Sequence, residues 1–266
     1  MGRRTDASVS DPVDRDMPEW RWWSVSRRVA EVVGAAPLQL ATLVLLGTAV
    51  LTGILQVEEL TIPRTESIFE TPDVPLWRMP LNIAVGIVLW VALHAVGAAM
   101  VVEVARGDRA SLARSAGLGL RHGLVPQLAA LAAAFVGLVM FVVPGLVVLA
   151  TRFGAGAVAI LEELPTRAAW TRAAELAPSR RPLVLGLASC SWILRILLLQ
   201  VASPAIAAAI WRLDALDTPV ATVLADVPYA LSTSVASVLD GMIAGALVVC
   251  AVAPRDEGAQ LARTFE

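Results

Sequence analysis

The chain has 266 residues, of which 57% are hydrophobic and 17% charged, with a formal net charge of −2 and a mean hydropathy of +0.71. Soluble domains average ~45–50% apolar and ~25% charged residues, so this composition points to a polytopic membrane protein, and the near-neutral charge argues against a nucleic-acid partner. Lysine is absent and all 21 basic residues are arginine, which removes any GxxxxGK[ST] phosphate loop.

Residues 1–24 are rich in Asp, Arg, Ser and Pro and carry too little apolar surface to pack a core, so they read as a disordered cytoplasmic tail. The first apolar block starts only at Leu38, too late for a secretory signal. Trp20, Trp22 and Trp23 stand beside Arg21, Arg27 and Arg28, the mixture of aromatic rings and arginines expected at headgroup depth. Ser26 to Ala36 then suits a short interfacial helix ending at Pro37. From residue 25 to residue 253 the pattern predicts one all-α membrane bundle. Its six segments fall at 38–57, 81–102, 124–143, 146–161, 183–210 and 228–253, most near the ~20 residues that cross ~30 Å of hydrocarbon. Ser203-Pro204 predicts a kink in the fifth segment. Residues 254–266 read as a second cytoplasmic tail.

Pro144 and Gly145 alone separate the third and fourth segments. One helix through both would hold ~38 residues and run ~57 Å, well beyond a bilayer core. Proline pushes Val143 out of the α region and Gly145 tolerates positive φ, so the pair predicts a tight hairpin, spanning or re-entrant.

Arginine placement sets the orientation. With the N-terminus inside, cytoplasmic stretches hold Arg3, Arg4, Arg15, Arg21, Arg27, Arg28, Arg106, Arg109, Arg114, Arg121, Arg167, Arg172, Arg180, Arg181, Arg255 and Arg263. External stretches hold Arg64, Arg78 and Arg212 against eight acidic residues. A split of sixteen to three predicts both termini in the cytoplasm of a cell (inner or plasma) membrane. Two cytoplasmic connections look amphipathic. Asp108 suits the cap of a helix over Ala110–Gly119, and Pro165 suits the first position of a helix through Leu176. Both are expected along the inner leaflet, with membrane lipids as partners.

The order Val143-Pro144-Gly145, Arg152-Phe153, Ile160-Leu161-Glu162-Glu163 and then the Ala-rich Arg167–Arg181 stretch resembles the six-helix membrane domain associated with some glycerophosphodiester phosphodiesterases, and related multi-pass families. The resemblance covers residues ~100–200, and Ala168–Leu176 departs from the family's Ala-Leu-x-x-Ser-like helix. It implies a membrane module without the associated catalytic domain; His94 and His122, the two histidines, supply no histidine-and-carboxylate cluster.

No GxSxG, HExxH or GxGxxG pattern is present, and the longest external loop has 23 residues, so no catalytic residue is assigned. Cys190 and Cys250 lie inside apolar blocks with no CxxC or Cys/His cluster, so neither a metal nor a cofactor is expected. Ionisable residues inside the segments are the candidate site: Arg195, Asp240, Arg152 and His94. Arg195 and Asp240 each lie twelve residues into consecutive, antiparallel segments. An unpaired charge at a helix centre costs roughly 2.5–3.5 kcal/mol, so an Arg195–Asp240 ion pair between segments five and six is expected, as a register lock or as part of a site. Gly241 and Gly245 beside it form a GxxxG suited to close helix approach. Arg152 is expected in the outer half, snorkelling, pairing with a residue such as Asp226, or lining a cavity; His94 is expected near mid-depth as a hydrogen-bonder or a proton relay.

Three functions compete. One is a non-catalytic membrane module, a scaffold, assembly or envelope-associated protein acting on lipids, a protein partner or a second copy. Another is a small transporter with a midplane polar site around the four residues. The third is an intramembrane lipid enzyme using Asp240 or His94. Convergence of the four residues on one solvent-reachable cavity would favour the transporter.

Overall fold

The computed structural model describes residues 22–61, 78–140, 142–177 and 218–264, together with residues 186, 205 and 206. All regular structure among them is helical: α1 (Trp22–Ala35), α2 (Pro37–Thr61), α3 (Arg78–Ala105), α4 (Leu112–Leu118), a π-helical turn (Gly119–Gly123), α5 (Leu124–Met140), α6 (Val142–Arg152), α7 (Ala155–Glu162), α8 (Thr166–Leu176) and α9 (Thr218–Thr264). Among the described residues five stretches are long and apolar enough to cross a membrane: Pro37–Gln56, Ala84–Ala105, Leu112–Gly137, Val143–Glu162 and Asp226–Val252. They correspond to the first four expected segments and the sixth. The fifth, at 183–210, lies outside the described residues apart from positions 186, 205 and 206, and with it Arg195, Cys190 and the Ser203-Pro204 kink.

Helix α1 begins four residues before the expected interfacial helix. It turns Val25 and Val32 into the core at one face, while Arg27 and Arg28 hold Glu31 on the other at 3.1 and 2.9 Å. Pro37 opens α2, where its missing N–H and fixed φ do no harm. Helix α3 ends in a Schellman motif. Gly107 sits at φ 80°, its N–H donates to the Val104 carbonyl, and the Asp108 N–H reaches back to Glu103.

Three expected boundaries are corrected. Ser111, not Asp108, occupies the N-cap position of α4, without a side-chain capping bond, because Asp108 is drawn into the turn after α3 and into an ion pair with Arg114 at 2.9 Å. Pro144 and Gly145 do not form the turn; both lie in the first turns of α6, where a proline's missing donor is harmless. The chain reverses just before them, since a Cβ on Gly137 would lie 2.8 Å from the Gly145 Cα; in one helix those residues would be ~12 Å apart. Finally, α9 starts ten residues before Pro228 and runs on to Thr264, so most of the expected tail is helix.

Pairwise packing fixes the relative directions. The Gln56 amide donates to Asp226 at 2.7 Å, and Gly47 faces the Ser234 hydroxyl, so α2 and α9 are antiparallel. Gly241 faces the His94 backbone and Gly245 the Ala98 carbonyl, so α3 and α9 are parallel. Arg106, just after α3, donates to the Leu161 carbonyl at 2.8 Å, which puts the ends of α3 and α7 side by side. The core lies between these helices, with Met100, Val101, Val102, Val158 and Ile160 essentially inaccessible. Val85, Ile87, Phe135, Val139, Met140 and Val147 face outward, as expected of a surface solvated by lipid rather than water.

Candidate functional site

The α3–α9 contact is built on missing side chains. A Cβ at Gly97 would lie 2.6 Å from the Val238 carbonyl, one at Gly245 would lie 2.9 Å from the Ala98 carbonyl, and one at Gly241 would overlap the His94 carbonyl. Small residues let two backbones approach this closely, and dispersion then acts over many atoms at short range. The GxxxG expected on α9 thus packs on α3, with Gly97 reciprocating.

Around this seam stand two of the four candidate residues. His94 is 3% exposed; its ring meets Phe153 edge-on at 5.9 Å, and its Nε2 has no hydrogen-bond partner among the described residues. Asp240, the neighbour of Gly241, is 7% exposed. Arg195, its expected ion-pair partner, lies outside the described residues.

Arg152 departs from expectation. It ends α6, and its guanidinium donates to the Trp170 carbonyl on α8 while lying 5.3 Å from the centroid of the Trp170 ring. A planar, weakly hydrated guanidinium suits that combination of hydrogen bond and ring contact. The expected pairing with Asp226 is replaced: Asp226 accepts from Gln56 instead. Distance explains the difference. Gly154, just after Arg152, faces Val248, some 22 residues beyond Asp226 and about 33 Å along α9.

The α6–α7 break at Phe153-Gly154 leaves the first N–H groups of α7 without helical partners. Gln127 of α5, 2% exposed, supplies one acceptor: its amide oxygen takes the Gly156 N–H at 3.3 Å. A groove at this break, lined by Thr151, Phe153, Gly154, Leu176, Leu247 and Val248, has a volume of about 40 Å³. That admits a few waters, well short of the ~300 Å³ of a small-molecule site.

Sequence reasoning missed the most buried acid. Glu103, 0% exposed at the end of α3, accepts from the Ser115 hydroxyl at 2.5 Å and from the Ser111 N–H at 3.4 Å. Its other oxygen lies 3.1 Å from Arg114 Nε, an ion-pair contact without hydrogen-bond alignment. The carboxylate staples α4 to α3. Beside it, Arg106 approaches Glu163, and Arg172 bridges Glu162 and Glu175 at 3.2 Å each. Hydrogen bonds from Arg172 to Glu162 first and Glu175 second hold that guanidinium above its ordinary pKa. The amphipathic helices are therefore docked on the bundle, α8 through Ala169, Ala173 and Leu176. A signal for Glu103 existed: an acid one turn before the helix-ending Gly107, within an arginine-rich stretch.

Among the described residues no group of three or more His, Cys, Asp or Glu could hold a metal ion. No protein family, curated protein or solved structure matches the chain.

Proposed function

We propose that the chain is a non-catalytic, multi-pass module of the cytoplasmic membrane, with six spans and both termini inside, acting on lipids or partner proteins. The observation that carries this reading is how the polar groups near the candidate site are spent. Arg152 is held by Trp170, and Glu103 is bound by Ser115 and Arg114. Among the described residues, the groove at Thr151, Phe153 and Gly154, beside Arg152, has a volume of about 40 Å³, below substrate size. The topology has its own support. Helix α7 finishes beside the end of α3, whereas α9 begins beside Gln56 at the opposite end and runs parallel to α3. The proposed fifth span, 183–210, makes that return crossing of roughly 35 Å. Arg106, Arg109, Arg114, Arg167 and Arg172 all belong to the connections at the α3–α7 end, which the arginine rule assigns to the cytoplasm.

Thiol accessibility tests the module against the transporter. In a chain with Cys190→Ala and Cys250→Ala, Ala98→Cys and Phe153→Cys are treated with a membrane-impermeant methanethiosulfonate in sealed vesicles. A module leaves both thiols unlabelled from either side. Labelling from one side at a rate near that of an exposed control would establish an aqueous cavity and overturn the reading.

A further inference from the structure

Helices α1 and α2 share one outward stripe that changes character along its length. Two backbone bonds carry the helical winding across Pro37: the Ala36 N–H donates to the Val32 carbonyl at 2.9 Å, and the Leu40 N–H to the Ala36 carbonyl at 3.0 Å. Trp23, Arg27, Ala30 and Gly34 on α1 are exposed, and so are Leu38 and Leu45 on α2. Their successive spacings of four, three, four, four and seven residues belong to one helix face. Val25 and Val32 are buried on the opposite side, and α1 packs against α9 and α3. On α2 the stripe is apolar and lies within a stretch fit to cross a membrane. On α1 it ends in an aromatic ring and a guanidinium, with Trp23 77% exposed and the Arg27 side chain 82% exposed.

The charges at that end do not cancel. Arg27 Nε donates to one Glu31 oxygen at 3.1 Å and Arg28 Nη1 to the other at 2.9 Å. Two cations share one carboxylate, which leaves one positive charge. Each guanidinium has five N–H donors, so the outer fork of Arg27 is unspent, and that fork matches the oxygens of a phosphate. Depth follows from the α2–α9 register. Gly47 faces Ser234, so Pro37, ten residues before Gly47, comes level with Ala244, ten residues after Ser234. The apolar span of α9 runs on to Val252, eight residues and ~12 Å further. Arg27 lies ten residues before Pro37, at most ~15 Å along α1, at the edge of that hydrocarbon.

We infer that Trp23 and Arg27 form a docking site for the headgroup of an anionic phospholipid, whose acyl chains lie along the apolar part of the stripe at Leu38 and Leu45. The ring sits at the level where amphipathic aromatics are favoured, and the Arg27 fork takes the phosphate. The site deepens the proposed role and rests on its membrane reading, but not on which end of the bundle is cytoplasmic.

Lipid-specific quenching of tryptophan tests it. The full chain is placed in symmetric vesicles of phosphatidylcholine and phosphatidylglycerol, with one or the other lipid brominated near the headgroup. Subtracting the signal of Trp23→Phe isolates Trp23 from the other tryptophans. About one kcal/mol per arginine at a membrane surface corresponds to a preference of about fivefold for phosphatidylglycerol at Trp23. Arg27→Gln, which leaves Arg28 and Glu31 to neutralise each other, should bring the ratio to about one. Glu31→Gln releases the second cation and should raise it several-fold. Equal quenching of Trp23 by the two lipids, or a ratio unchanged in both variants, would overturn the inference and leave the arginines as stabilisers of α1 alone. Leu45→Trp, read with lipid brominated deep in the acyl chain, separates the two readings. Quenching there without a preference at Trp23 sinks only the headgroup site, whereas no quenching at Leu45→Trp overturns the membrane reading with it.

Discussion

Replacing Gly241 with alanine adds one methyl at a point where no room exists, since its carbon would overlap the His94 carbonyl. That carbonyl belongs to helix backbone and cannot rotate away as a side chain would. The two helices must therefore separate by more than ~1 Å to reach ordinary contact. A gap of ~1 Å already forfeits a quarter to a half of each dispersion well of ~0.1–0.2 kcal/mol. Over the roughly 40 contacts of a buried side chain such as Met242, the loss is about 2 kcal/mol, within the ~1–3 kcal/mol typical of overpacking. Gly53→Ala on α2 is the matched control: nothing lies within 4 Å of its added carbon. There the higher helix propensity of alanine should leave stability unchanged or raise it by ~0.5–1 kcal/mol. The assay is the midpoint of thermal aggregation in detergent, read by size-exclusion chromatography for both variants side by side. Gly241→Ala as stable as Gly53→Ala would refute backbone contact between α3 and α9.

Glu103→Ala should destabilise by about 2–3 kcal/mol, because it strands the buried Ser115 hydroxyl and removes a charged acceptor. Arg114→Ala should cost less than about 1 kcal/mol, its side chain being 54% exposed, and the same unfolding assay separates the two. Arg152→Lys keeps the charge but loses the planar contact with Trp170, so a loss of about 1 kcal/mol is expected in detergent unfolding, with Trp170→Leu giving a similar loss. Gln127→Leu leaves the Gly156 N–H without its acceptor, and local hydrogen exchange at the start of α7 should rise about tenfold or more, corresponding to ~1–2 kcal/mol.

The helical segments were legible in the sequence because twenty-residue apolar blocks have few other uses, and the Gly241–Gly245 contact was legible because close helix approach demands small residues. The partner of Gly241 was not: nothing local says that α3 rather than another helix meets it. Pro144-Gly145 misled because proline serves equally as a turn residue and as a residue of a helix's first turn, and here it lies in the first turn of α6. Arg152 misled for a geometric reason. The sequence left it to snorkel, to pair with a residue such as Asp226 or to line a cavity, whereas α8 folds back onto the bundle and brings Trp170 to it. Glu103 was not singled out because its partners, Ser111, Arg114 and Ser115, come from the next helix and the turn before it, and pairing across a turn is set by three-dimensional packing.

Reporter fusions give the most direct test of six spans with both ends inside. Alkaline phosphatase, active only outside the cytoplasm, and a fluorescent protein, fluorescent only within it, are each fused after Arg64, Asp108, Pro165, Asp217 and Glu266 in a bacterial host. Phosphatase activity is predicted after Arg64 and Asp217, and fluorescence after Asp108, Pro165 and Glu266. Fluorescence after Asp217, or phosphatase activity after Glu266, would contradict the crossing assigned to residues 183–210.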